Sequence, residues 1–66
     1  MENKYILKKG DYYLSDILIE GEKLKWYEID SDLRLLFDDF EKAEDTRKLI
    51  FIETGLDLEI KKEKFL

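Results

Sequence analysis

The chain has no cysteine, no histidine and no proline, only three glycines, and no apolar run longer than the four residues Leu49-Ile50-Phe51-Ile52. Each absence removes a class of explanation. Without cysteine there is no disulfide framework, and without cysteine or histidine there is neither a zinc site of the usual thiolate or imidazole kind nor an imidazole base to activate a Ser or Cys nucleophile. A four-residue apolar run is far short of the roughly 20 residues that a helix needs to cross a bilayer. The start of the sequence also lacks a charged n-region followed by an apolar stretch, so the expected location is the cytoplasm, with no membrane association. Gly10, Gly21 and Gly55 stand alone, and none opens a helix after a strand, so no phosphate-cradling loop is expected.

What is present is a chain of 66 residues, 44% hydrophobic and 44% charged. That is one domain, soluble by composition, which buries only roughly 60% of the surface its unfolded form exposes. Valine is absent, and Leu, Ile, Phe, Tyr and Trp supply nearly all the apolar content. A core this small sits near the limit of independent stability, which keeps a homodimer open.

The net charge of −5 is unevenly spread. From Met1 to Tyr27, five acids face five bases; from Glu28 to Asp45, eight acids face only Arg34 and Lys42, a net charge of −6; from Thr46 to Leu66, five bases exceed four acids by one. Nucleic-acid affinity comes mainly from Lys and Arg that displace condensed counterions, so direct DNA or RNA binding is not expected. An acidic stretch suits a protein partner with a basic surface, where carboxylates stand in the places of phosphates. The carboxylates that could meet it are Glu28, Asp30, Asp32, Asp38, Asp39, Glu41, Glu44 and Asp45. The plainer reading of such a stretch is a solvated helix face with its caps.

Strand signals fill the first half: Tyr5-Ile6-Leu7, Tyr12-Tyr13-Leu14, Ile17-Leu18-Ile19 and Leu24 to Ile29, separated by turns at Lys9-Gly10-Asp11 and Glu20-Gly21-Glu22. They predict a three-stranded antiparallel meander over about residues 4 to 29. No linker, repeat or low-complexity segment interrupts the chain. The second half admits two arrangements. In one, Leu33 to Phe37 is a strand or extended approach, Asp38 caps a helix with Glu41 as its capping-box partner, and the helix runs to Thr54 and stops at Gly55 before a last strand. Its inner face carries Phe40, Ala43, Arg47, Ile50, Phe51 and Thr54, with Leu49 and Ile52 pointing away. In the other, the helix starts near Ser31, and Leu49 to Glu53 pairs with Leu56 to Lys61 as a hairpin. Both give an α+β domain, a small twisted antiparallel sheet with one helix packed on one face.

Adjacent residues of a strand point to opposite faces, so Tyr12 and Tyr13 cannot share one core, nor can Trp26 and Tyr27. With one helix on one face, the other face is left to display large aromatics, the type enriched at interface hot spots, and Tyr13, Trp26 and Tyr27 are the candidate anchors. The alternative is a thin sheet lined by partly exposed rings. Base stacking is disfavoured because this half is electrically neutral. Hard-cation binding at Asp38-Asp39-Glu41 competes with helix capping. Asp30-Ser31-Asp32 begins like a calcium loop, but Leu35 stands where the turn requires Gly, and no Glu follows at the twelfth position. Paired carboxylates for glycoside hydrolysis lack room for a cleft in so short a chain. The expectation is therefore a protein without catalytic residues, metal or cofactor. Lys61, Lys62 and Lys64 read as a solvated strand end that guards an edge.

The run Leu36-Phe37-Asp38-Asp39-Phe40-Glu41-Lys42-Ala43-Glu44, followed by Glu53-Thr54-Gly55-Leu56-Asp57-Leu58-Glu59-Ile60, resembles the C-terminal half of many small acidic proteins of bacterial tailed phages and prophages. The shared pattern is a strand ending in Phe-Asp, a helix opening with a Glu-rich turn and Ala, a Gly stop, and a last strand of alternating apolar and acidic residues. Lys4-Tyr5-Ile6-Leu7-Lys8 and Tyr13-Leu14 resemble the opening strands of such proteins. Thr46 and Arg47 depart from the pattern, which has small or apolar residues one turn after the Ala. The resemblance favours the first arrangement, with the helix ending at Gly55. It implies an early gene product that disables a host nucleic-acid-handling or defence protein, in the manner of anti-CRISPR or anti-restriction proteins. The alternative expectation is a homo-oligomer with a structural or ligand-sequestering role, its aromatic sheet face serving as the self-interface.

Overall fold

A computed structural model describes residues 2–65. The chain runs β1 (Glu2–Lys9), β2 (Tyr12–Glu20), β3 (Lys23–Asp30), α1 (Phe40–Thr54) and β4 (Glu59–Phe65). The four strands form one antiparallel sheet in the order β3-β2-β1-β4, with the helix on one face, an α+β domain as the composition and patterning predict. The meander is present. Both of its turns use left-handed backbone, at Gly10 (φ 60°), and at Gly21 (φ 56°) with Glu22 (φ 62°), the conformation that two-residue hairpins require. The second half follows the first arrangement. Among the described residues there is one helix, to Thr54, and one final strand, and no hairpin joins Leu49–Glu53 to Leu56–Lys61.

The two apolar runs expected inside β2 are one strand, broken in pattern by a bulge. Leu14 and Ile17 both face the core although they are three residues apart, which a regular strand forbids. The register slips between Leu14 and Asp16, so Ser15 is an extra residue on β2 and the alternation is reset. The same device works on β3. Leu24 and Tyr27 both pack inward because the register slips again opposite Leu18 and Ile19, with Lys25 as the extra residue.

β1 and β2 stay paired only at Lys8↔Tyr13 and Lys9↔Tyr12, next to their turn, and then part. The extended segment 33–37 fills the gap. Leu35 N–H donates to the Leu14 carbonyl (2.8 Å), while Tyr5 and Phe37 exchange both backbone hydrogen bonds (2.9 Å each). Backbone groups that the divergence would leave unpaired are thus satisfied, and Leu35 and Phe37 are delivered to the core.

Helix α1 starts one residue later than the spacing predicts. Its N-cap is Asp39, whose carboxylate accepts from the Lys42 N–H (2.8 Å), and Asp38 lies outside the helix and pairs with Lys4. With the cap at position 39 the residue three further on is Lys42, so Glu41 has no capping-box role. Ala43, Thr46 and Ile50 form the buried stripe. The Thr46-Arg47 departure is accommodated because Thr46 is small enough for the contact, while the half-buried Arg47 keeps its guanidinium on Glu44 and reaches toward Asp57. Gly55 ends the helix at φ 81°, its N–H donating to the Phe51 carbonyl (2.9 Å). Leu7, Leu14, Ala43, Ile50 and Leu58 form the core cluster. Ile52 is 78% exposed, pointing away as the first arrangement predicts, whereas Leu49 is half-buried.

Candidate protein-binding face

The acidic stretch divides into two groups separated by segment 33–37, whose extended backbone carries the chain up to about 20 Å between Asp32 and Asp38. In the group beyond the segment, three carboxylates have internal work. Asp38 pairs with Lys4, which holds its carboxyl below the usual carboxylate range, and Lys42 adds to the effect. Asp39 caps the helix. Glu44 is half-buried and accepts from Arg47 Nε (2.8 Å). Glu41 and Asp45 are exposed.

In the group before the segment, Asp30 accepts from the backbone N–H groups of Asp32 (2.7 Å) and Leu33 (3.0 Å), and these bonds lower its pKa. The carboxylate that could have begun a calcium loop is spent on closing a turn. Asp32 is exposed. Glu28 is exposed on β3, and the hairpin register sets it directly opposite Asp16 of β2. Because Ile17 and Tyr27 face the core, Asp16 and Glu28 both lie on the helix-free face. Directly opposed Cβ atoms are about 5 Å apart, and like charges so placed repel. Among the described residues neither carboxylate has a basic partner; the Asp16 side chain accepts only from the Ile17 N–H (2.8 Å).

The aromatic candidates separate just as sharply. Tyr27 packs against the core. Tyr13 lies on the helix-free face, half-buried under Arg34, whose guanidinium carbon stands 4.3 Å from the ring centroid while its Nη1 donates to Glu63 (2.7 Å). The Glu63 bond raises the pKa of Arg34. Register puts Tyr13 opposite Lys8 and Glu63 opposite Lys4, with Ile6 between those two lysines on the same face of β1. Ile6 is 0% exposed although it lies on the face away from the helix, the same face as the joined Tyr13, Arg34 and Glu63 side chains. Trp26 is different. It is 44% exposed and sits directly opposite Leu18, which is 38% exposed, one cross-strand pair along from Asp16 and Glu28 on the same face.

The structure thus brings Trp26 and Glu28 together and adds Leu18 and Asp16, which sequence reasoning did not single out. It places Asp38, Asp39, Glu41, Glu44 and Asp45 elsewhere. The missed residues belong to the other strand of the hairpin, and only the register across both bulges identifies them as neighbours. No helix is long and apolar enough to cross a membrane among the described residues. No family model, curated protein or solved structure matches this chain.

Proposed function

We propose that the protein acts by binding, without catalysis, a basic surface of another protein through the helix-free face of the β2–β3 hairpin. The observation that carries the reading is the cross-strand pair Leu18↔Trp26 lying beside the unneutralised pair Asp16↔Glu28. Opposed carboxylates cost stability in the free protein, and a half-exposed Trp beside them supplies an anchor of the type that dominates interfaces. A cationic partner relieves the repulsion and gains the aromatic contact in one event. Taken with the resemblance to small phage proteins, the partner is a host nucleic-acid-handling or defence protein, disabled because its phosphate-binding surface is occupied. Self-association through this face is the weaker reading, since a two-fold interface built on it would bring four carboxylates into one buried patch.

The test is affinity capture from bacterial lysate with tagged wild type and with the double variant Asp16→Lys/Glu28→Lys, eluted by a salt gradient, followed by activity assays of the captured enzyme with each purified protein. The expected result is one basic nucleic-acid enzyme, captured and inhibited by the wild type and released as salt rises, and neither captured nor inhibited by the correctly folded variant. Equal capture and inhibition by both proteins would overturn the reading.

A further inference from the structure

The outer edge of β3 offers a seat for a particular kind of chain. β3 ends the sheet on one side, as β4 does on the other. The β4 edge carries exposed Lys61, Lys62 and Lys64, the usual protection against strand addition. Along β3 the lysines are confined to Lys23 and Lys25 at its start, and the remainder, Trp26 to Asp30, presents Glu28, Asp30 being engaged in its turn. An open groove of 360 Å³ lies where this strand meets the end of α1, lined by Leu24, Lys25, Trp26, Tyr27, Glu53 and Thr54. Its helix side is negative. The last turn of α1 holds no basic residue to offset the carbonyl end of the helix dipole. Glu53 also stands there, its carboxylate accepting from the Leu24 N–H (2.8 Å).

We propose that the occupant of this face is an extended segment of a partner protein, with arginine or lysine at alternate positions, which adds to the sheet along the outer edge of β3. Strand addition satisfies the rest of this edge, beyond the Leu24 N–H that Glu53 already holds, with backbone hydrogen bonds, and alternate side chains fall on one face of the enlarged sheet. On the helix-free face those side chains stand beside Trp26 and Glu28. A guanidinium there stacks on the indole and pairs with the carboxylate. The inference rests on the proposed function, adding to it the conformation and chemistry of the bound segment.

Trp26 is the sole tryptophan of the chain, so intrinsic fluorescence reads the site directly. The probe is an eight-residue peptide alternating arginine and threonine, titrated into the full-length protein. Two companions carry N-methyl groups on alternate backbone nitrogens, one in each of the two possible registers. The unmodified peptide is expected to bind saturably with a change in tryptophan emission. Methylation in the register that faces β3 weakens binding at least about tenfold, and in the other register leaves it nearly unchanged. Glu28→Gln weakens the unmodified peptide by several-fold while leaving the far-ultraviolet circular dichroism unaltered.

Indifference to methylation in both registers, or equal binding of a glutamate–threonine peptide, overturns strand addition by a basic segment. So does a concentration-dependent dimer by light scattering whose formation abolishes peptide binding. If the peptide fails while the captured partner is still lost on Asp16→Lys/Glu28→Lys, the extended-segment inference falls alone and the proposed function stands. If the partner is retained by that variant, the proposed function falls as well.

Discussion

The carboxylates at the helix start and those on the β2–β3 hairpin come from one acidic run or its register neighbour, yet they do different things. Asp38 and Asp39 are committed to Lys4 and to the Lys42 N–H, and Glu44 to Arg47. Asp16 and Glu28 face each other with no basic partner among the described residues. A count of negative charge along the chain therefore overstates what is offered to a partner, because several of those charges are already engaged in the fold. The charge that matters for binding is what remains after caps, turns and ion pairs are assigned. On that basis the hairpin face, which holds two of the chain's acids close to an exposed Trp, outranks the helix start.

The sharpest way to break the comparison is to reverse charge on one side at a time. Asp16→Lys/Glu28→Lys should lower affinity for a basic partner by at least about 100-fold, since close interfacial charge pairs couple strongly and reversal adds repulsion. Glu41→Lys/Asp45→Lys should change it by no more than a few-fold, through long-range attraction alone. Titration calorimetry at two salt concentrations checks both. A larger loss from the helix pair would invert the assignment.

Stability should respond in the opposite sense. Asp39→Ala removes the N-cap and should cost about 1 kcal/mol. In a domain of this size that lowers Tm by about 6 °C, with partner affinity unchanged. Glu28→Gln, by contrast, relieves a like-charge contact and should stabilise the fold by about 0.5 kcal/mol while weakening binding. Urea unfolding of the two variants beside wild type decides this. If Glu28→Gln destabilises, the opposed carboxylates are supported by something the register does not reveal, and the case for a site held at a cost to stability is lost.

The elements of this fold are legible in the sequence where a single residue dictates backbone geometry. Gly10 and Gly21 mark the hairpins, Gly55 ends the helix, and the Phe37-Asp38-Asp39 junction marks its start to within one residue. The slip from Asp38 to Asp39 reflects two adjacent carboxylates with equal capping chemistry, of which Asp38 is instead paired with Lys4, 34 positions away. The alternation of β2 and β3 is misleading over Leu14 to Ile17 and over Leu24 to Tyr27 because each contains a bulge, and a three-residue spacing of core side chains reads as a break between strands. Nothing local announces that segment 33–37 would lie between β1 and β2, since that depends on how far two other strands diverge. The same limit applies to the site. Trp26 and Glu28 are visible as an aromatic and an acid, but their partners Leu18 and Asp16 become neighbours only through a twice-shifted register.

The smallest expected effect concerns pH, and it tests whether the carboxylates engaged within the fold, Asp38 near the helix start and Asp30 at the end of β3, are structural. Asp38 is shifted down chiefly by its hydrogen bond to Lys4, and Asp30 by the N–H groups of Asp32 and then Leu33. A carboxyl group whose folded pKa lies below its unfolded value of about 3.9 contributes its full stabilisation above that value, where both states are ionised. As pH falls the unfolded chain takes up the proton first, so stability declines until the folded pKa is passed. Asp38 is exposed and Asp30 only half-buried at the surface, so the decline is shallow. Urea midpoints between pH 7 and pH 2.5 should drop below about pH 4. Asp38→Asn should lower the midpoint at pH 7 and flatten part of the acid limb. In 1 M salt, where screening acts over roughly 3 Å, the share of the limb due to Asp38 should shrink. The share due to Asp30, which rests on short backbone hydrogen bonds, should persist. An acid limb unchanged in Asp38→Asn would mean that the ion pair with Lys4 contributes nothing to folding, and Asp38 would join Asp16 and Glu28 among the carboxylates free to meet a partner.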